Sequence, residues 1–314
     1  MLITRRRGWE IAEAAATDPS LLQSRAGRRA ILRATAGSLA AAALTGSAFA
    51  ATAIPPLDPR YPPGRPITPA KDATTYNNFY EFGEDKDIVG PAQSLKITPW
   101  AVELKGLIKQ PRTIALDDLK RQMPLEQRVL RHRCVEAWAM TVPWTGFPLA
   151  RLIALADPLS SAKYVSFTTA DQPDNMPGLG QSFYPWPYTE GLALDEATND
   201  LAFMATGMYG ADLPKQDGAP IRLLVPWKYG FKSAKSIVTL TFTAKRPATF
   251  WESLGPSEYG FWANVNPAVP HPRWSQARER LLGSDEMVPT QLYNGYGEFV
   301  ASLYKDRQGE DLFR

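Results

Sequence analysis

QRVLRHRCVEAWAM, residues 127–140, contains the only cysteine among 314 residues. Gln127 to Arg133 has the content of a strand, and that strand delivers Cys134 at its end. Side chains alternate across a strand, so His132 and Cys134 fall on one face. Arg131, His132 and Arg133 immediately precede the thiol, and nearby cations lower a thiol pKa, which suits the position to a reactive thiolate or a metal ligand. One cysteine excludes a disulfide within the chain. The competing reading is a small buried hydrophobe, the usual fate of a free cysteine.

Short strands and short helices surround this segment. Ile97 to Ile108 alternates in part like a strand and contains Gly106, while Leu116 to Met123 predicts a helix capped near Asp117. Leu149 to Ala156 predicts a second helix, stopped by Asp157 and Pro158. Lys163–Thr169, Leu201–Ala205, Ile221–Val225 and Ser236–Thr243 carry β-branched and apolar residues in strand-like runs. The order predicts an α+β fold with a mixed sheet. From Arg246 onward the chain is rich in Trp, Tyr, Pro and Asn, with too few strand-like runs for a separate sandwich. Residues 246–314 therefore read as a C-terminal wrapping segment whose aromatics pack on the main domain.

The first fifty residues read as a leader. Arg5–Arg7, Arg25, Arg28, Arg29 and Arg33 precede a weakly apolar stretch from Ala34 to Thr45, and Ala48, Phe49, Ala50 has the form of a cleavage site. The pair Arg28 and Arg29 ahead of that stretch predicts twin-arginine export to the periplasm in a folded state. The apolar run is too short for a good membrane anchor, and the mature protein is expected to be soluble. Seven prolines in residues 51–70 predict an extended lead-in. Of 35 Lys and Arg and 32 Asp and Glu, residues 1–50 hold seven and three, leaving 28 against 29. The basic balance of the whole chain thus comes from the leader and gives no support for nucleic-acid binding.

Two histidines, His132 and His271, are too few for a polyhistidine metal site, and the spacings of structural zinc sites are absent. A Cys134–His132 nucleophile pair stays open on geometry. Dinucleotide, P-loop and serine-hydrolase motifs are missing. A single thiolate suits a soft or high-valent metal if an organic cofactor supplies further sulfurs. Such a cofactor would carry a phosphate. IRLLVPWKYGFKSAK at 221–235 offers Arg222, Lys228, Lys232 and Lys235 with backbone donors in a Gly and Ser turn.

TTYNNFYEFG at 74–83, RCVEAWAM at 133–140, GAPIRLLVPWKYGFKSAKSI at 218–237 and EYGFWANVNP at 258–267 occur in that order. Together they resemble the catalytic subunits of periplasmic protein-methionine-sulfoxide reductases, in the sulfite oxidase superfamily. The resemblance implies a sulfite-oxidase-type molybdopterin-binding domain over residues 71–245, holding one molybdenum with Cys134 as the protein ligand. It implies molybdopterin contacts from Asn77, Tyr80, Glu81, Thr169, Arg222, Ser233, Ala234 and Lys235. Asp217 stands where the family often has an Asn that contacts the cofactor; Asp keeps the acceptor, loses the amide donor and adds charge. The implied activity is oxygen-atom transfer from methionine sulfoxide in proteins to the reduced metal, with electrons from a membrane-embedded haem-binding partner. A protein substrate needs an accessible mouth, and Trp186, Trp227 and Tyr229 are the candidates for its aromatic rim. Two other readings stand beside this one: sulfite-oxidase-like oxidation of small sulfur compounds, and a non-enzymatic periplasmic binding protein with an inert Cys134.

Overall fold

The computed structural model describes residues 57–307 and 309–314. The leader, its twin-arginine pair and the first residues of the proline-rich segment lie outside the described residues.

Two mixed sheets organise the chain. The first runs β2–β1–β10–β5–β6, built from β1 (Ala101–Gly106), β2 (Arg112–Ala115), β5 (Tyr164–Thr169), β6 (Thr189–Ala193) and β10 (Ile237–Thr243). Its β1–β10 pair is parallel and the other pairs are antiparallel. The second centres on β4 (Trp138–Pro148), which pairs with β3 (Glu126–Arg133), β7 (Phe203–Met208) and β11 (Arg278–Leu281). Short β8 (Ala211–Asp212), β9 (Arg222–Leu224) and β12 (Met287–Pro289) complete it. Val102, Phe167 and Leu240 of the first sheet share one hydrophobic cluster with Val142, Phe203 and Leu223 of the second.

Local sequence accounts for most of these elements. In β10 Leu240 and Phe242 are buried on one face, and an irregularity between Ile237 and Thr239 accounts for Ile237 being buried out of step with them. The helix Leu149–Ala156 buries Leu149, Leu152, Ile153 and Ala156, the i, i+3, i+4, i+7 stripe of an amphipathic helix. It ends where Asp157 turns left-handed, at φ 51°. The helix Leu116–Gln122 has no side-chain cap; Asp117 and Asp118 instead sit in its first turn, where they complement the helix dipole.

The structure differs from the sequence expectations in three places. The predicted strand 97–108 shortens to β1, because Pro99 precedes it and Gly106 leaves it at φ 86°. The long β4 was not expected from a run that holds Pro143, Gly146 and Pro148. Pro143 still serves the ladder through its carbonyl, which accepts from Tyr209 N at 2.8 Å, and Pro148 is the last residue of the strand. The C-terminal residues do more than wrap, since β11 joins the second sheet in parallel with β4 and carries β12 with it.

Candidate active site

The end of β3, the loop 74–83 and the loop 226–235 converge on one cavity. Cys134, Asn77, Tyr80, Glu81, Arg222, Ser233, Ala234 and Lys235 all line it. Two glycines allow this closeness. A Cβ on Gly178 would stand 2.0 Å from Tyr80 O, and one on Gly230 would stand 2.5 Å from His132 Nε2. The second loop is held by Leu223 N–H donating to Ala234 O at 2.8 Å and by a bridge between Arg133 and Tyr229.

Alternation along β3 sorts its basic residues. His132 and Cys134 face the cavity, as the strand period requires. Arg133 points away and forms a buried ion pair with Glu279 of β11 at 2.7 Å, and Arg131 donates to Asn294 O at 3.0 Å. The two arginines therefore anchor the C-terminal segment, and the Arg133 charge lowers the thiol pKa less than burial and Glu136 raise it. Burial and the Glu136 carboxylate push the Cys134 thiol up to about 12, the reverse of the effect read from its neighbours in sequence. Burial and the nearby Arg222 and Lys235 cations hold His132 well below its usual value, so it is a neutral imidazole. No hydrogen bond joins the two side chains among the described residues. A nucleophilic Cys–His pair thus lacks both a thiolate and a contact, whereas a metal ion would itself supply the charge that deprotonates a ligating thiol.

Sγ of Cys134 is not isolated. Asn78 Nδ2 donates to it at 3.3 Å and to Glu136 Oε2 at 3.1 Å; Lys86 Nζ pairs with the same carboxylate at 2.8 Å, and Trp138 Nε1 donates to it at 3.2 Å. Neither Asn78 nor Glu136 was singled out in the sequence, although both lie inside the quoted motifs. Nothing in their spacing marks them, because the contact joins two loops 56 residues apart.

Deeper in, the cavity is lined by unanswered polar groups. Arg222 donates to Asp217 O at 2.8 Å through Nη1, yet its Nε is buried without a partner, as are Oδ1 of Asn77 and Oδ1 of Asn78. Lys235 Nζ donates only to Asn78 O, at 2.7 Å. Neither cation has an ion-pair partner among the described residues, and enclosure pulls Arg222 down to about 10 and Lys235 to about 8. Buried polar groups are normally paired, so this arrangement fits an anionic ligand that brings its own acceptors. It matches a phosphate-bearing pterin, with the thiol left for the metal.

Two predicted contacts lie behind the cavity lining. Asp217 is buried; its Oδ1 accepts from Asn77 Nδ2 at 2.7 Å, and burial raises its carboxyl to about 7. Thr169, at the end of β5, donates through Oγ1 to Tyr188 O at 2.9 Å and so positions the Tyr188 ring, which does line the cavity. The expected aromatic rim is also corrected. Trp227 is 0% exposed and donates to Tyr304, and Tyr229 is buried. Trp186 packs against Phe250 beside the entrance. The mouth is instead a vestibule of about 700 Å³ that shares Tyr80, Glu136, Trp251 and Tyr259 with the cavity and adds Tyr184 and Trp274. These residues come from loops and from the helix Phe250–Leu254, where aromatic content alone does not separate rim from core.

A family model described as "Oxidoreductase molybdopterin binding domain" matches residues 89–251, just over half of the chain and including Cys134, Arg222 and Lys235. The chain belongs to this molybdopterin-binding oxidoreductase family. It is an enzyme whose cofactor is molybdenum–molybdopterin. Among curated relatives, the protein-methionine-sulfoxide reductase catalytic subunit MsrP of Burkholderia mallei (strain ATCC 23344) is 49% identical over 302 residues. That alignment covers 91% of this chain and 90% of the relative. The sulfane dehydrogenase SoxCD from Paracoccus pantotrophus is 19% identical with a TM-score of 0.41, covering 48% of this chain and 40% of that one, an overlap too partial to bear on function. Among the described residues no cluster of three or more His, Cys, Asp or Glu is placed to hold a metal. No described helix is long and apolar enough to cross a membrane.

Proposed function

We propose that this enzyme reduces methionine sulfoxide in periplasmic proteins to methionine. The observation that carries the reading is a lone thiol in a cavity behind an open vestibule, beside two enclosed cations with no ion-pair partner among the described residues, in a chain 49% identical to a methionine-sulfoxide reductase catalytic subunit.

When bound, molybdenum–molybdopterin supplies the two-electron centre that takes up the sulfoxide oxygen. The chain's residues would do the rest. Cys134 would hold the metal. Arg222, Lys235 and the backbone of Ser233 and Ala234 would hold the anionic part of the cofactor, and Asn77, Tyr80 and Glu81 would complete its cavity. Asn78 keeps an amide N–H on the sulfur of Cys134, and Lys86 fixes the Glu136 carboxylate that orients that amide. Tyr80, Trp251 and Tyr259 wall the approach and keep bulk water from the reacting centre. Residues 71–245 form the catalytic domain in this account, with 246–314 packed on it.

Each turnover consumes two electrons and two protons, which the proposed reaction takes from a separate donor. A membrane-embedded haem-binding subunit is the proposed donor. The leader with Arg28 and Arg29 is the basis for proposing twin-arginine export and a periplasmic location, and protein substrates with oxidised methionines follow from that compartment.

Turnover of a methionine-sulfoxide peptide by molybdenum-loaded protein, with a reduced viologen dye as donor, tests the reading. The expected result is stoichiometric methionine and oxidised dye. Sulfite oxidation without sulfoxide reduction would overturn it in favour of sulfite-oxidase-like chemistry.

A further inference from the structure

Cys134 to Ala137 leave β3 as a tight loop whose carbonyls are held by residues around it. Cys134 O accepts from Ala137 N at 3.1 Å and from Nη1 of Arg133. Ala137 O accepts from Arg280 N at 2.9 Å. Ala137 itself is left-handed, at φ 63°, a conformation that its Cβ disfavours, so the loop depends on such contacts to keep its shape.

Val135 O is gripped twice. Trp274 Nε1 and Gln276 Nε2 each donate to it at 2.8 Å, as the two lone pairs of a carbonyl allow. Both donors are themselves fixed. The Trp274 ring stacks on His271, with centroids 3.7 Å apart and planes 9° apart. Gln276 is 2% exposed and its Oε1 accepts from Nη2 of Arg133 at 2.8 Å, while Glu279 holds the same guanidinium through Nε at 2.7 Å.

The C=O of Val135 and the N–H of Glu136 belong to one peptide unit. That unit is planar with the two groups pointing opposite ways, so fixing the oxygen fixes the direction of the hydrogen. The Glu136 N–H donates to Sγ of Cys134 at 3.5 Å. Two side chains of the C-terminal segment thus act on the sulfur through a peptide, without touching it.

We infer that Trp274 and Gln276 are positioning residues for Cys134, aiming the Glu136 amide at its sulfur through the Val135 carbonyl. The inference rests on Cys134 as the molybdenum ligand. A hydrogen bond to a ligating sulfur draws electron density away from the metal and raises its reduction potential. Residues beyond 246 therefore tune the reacting centre as well as packing on the domain that holds it.

Two substitutions isolate the donors. Trp274→Phe keeps a flat ring against His271 and loses the N–H; Gln276→Met removes the second donor, while Arg133 keeps Glu279 and Thr290. In cofactor-free protein, exchange of the Glu136 amide followed by NMR should quicken roughly tenfold in the double variant, about the worth of one hydrogen bond, and by less in Trp274→Phe. In molybdenum-loaded protein, the double variant should titrate at a lower midpoint potential than wild type, with Trp274→Phe between them. A packing role alone would lower the thermal midpoint or the molybdenum content and leave the potential of the loaded fraction where it was. Unchanged amide exchange, or an unmoved potential, overturns the positioning role. If the double variant does not load, the exchange rates and the potential of Trp274→Phe decide the matter. A Cys134→Ala protein that keeps its molybdenum overturns the ligand reading instead, and the exchange rates then still report whether Trp274 and Gln276 aim the amide.

Discussion

The Cys134 thiol donates to Glu136 Oε2 across 3.7 Å, so the one cysteine of this chain faces a carboxylate and not the basic residues that precede it. Burial first, and this carboxylate second, keep the thiol protonated up to about pH 12. Glu136→Gln removes the second effect. In cofactor-free protein at pH 9 the variant should react with a maleimide roughly severalfold faster than wild type, since rate follows the thiolate fraction. Equal rates would mean that Glu136 does not govern the thiol.

Enclosure without an ion-pair partner among the described residues makes the Lys235 ammonium a burden on the cofactor-free protein. Its ammonium titrates near 8 when folded against an ordinary value near 10.5, so between those values the unfolded chain binds more protons and stability rises with pH. Lys235→Met should therefore raise the melting temperature of cofactor-free protein at pH 7, with the gain shrinking as pH climbs from 8 to 10.5. The same substitution should lower molybdenum content. Destabilisation of the cofactor-free variant at pH 7 would show that Lys235 has a structural partner.

Asp217 has the opposite sign. Its folded value near 7 lies above the ordinary 3.8, so the native state binds the extra proton and stability falls as pH rises through that window. Asp217→Asn should be neutral near pH 4 and should stabilise cofactor-free protein above pH 7, by on the order of 5 °C. A shift that is independent of pH between 4 and 8 would contradict a buried, ionising Asp217.

How much of this was legible in the sequence depends on how local each feature is. The strand ending at Cys134 and the helix at Leu149–Ala156 show their periods directly in the residues. β4 does not, because its prolines read as breakers until a partner strand is seen on each side. The cavity-lining segments at 74–83 and 218–237 were legible only as long motifs that resemble a known family; no spacing rule connects Asn77 to Arg222. The charge state of Cys134 was misread for a physical reason. Neighbours in sequence alternate in space along a strand, so Arg131 and Arg133 serve the far face, and Glu136 turns back onto the sulfur. The aromatic rim was misplaced because composition does not separate buried Trp227 from accessible Trp251.

A buried cluster ties the C-terminal segment to the body of the enzyme. Lys228 Nζ pairs with Glu196 at 2.5 Å, and Tyr304 donates to the same carboxylate while accepting from Trp227 Nε1 at 2.7 Å. Glu196→Ala leaves the buried Lys228 ammonium with only the neutral acceptors Trp262 O and Asn264 Oδ1, and takes away the acceptor of the Tyr304 hydroxyl. A loss of about 3–5 kcal/mol is expected in chemical unfolding. A loss below ~1 kcal/mol would mean that water or another side chain replaces the carboxylate.

The decisive measurement is molybdenum per chain, by elemental mass spectrometry on wild type and Cys134→Ala from a host that makes molybdopterin. Close to one molybdenum per wild-type chain is expected, with severe loss in the variant and the fold retained. A wild-type protein without molybdenum from a host that loads other molybdoenzymes, or a Cys134→Ala protein that keeps full metal content and activity, would contradict it.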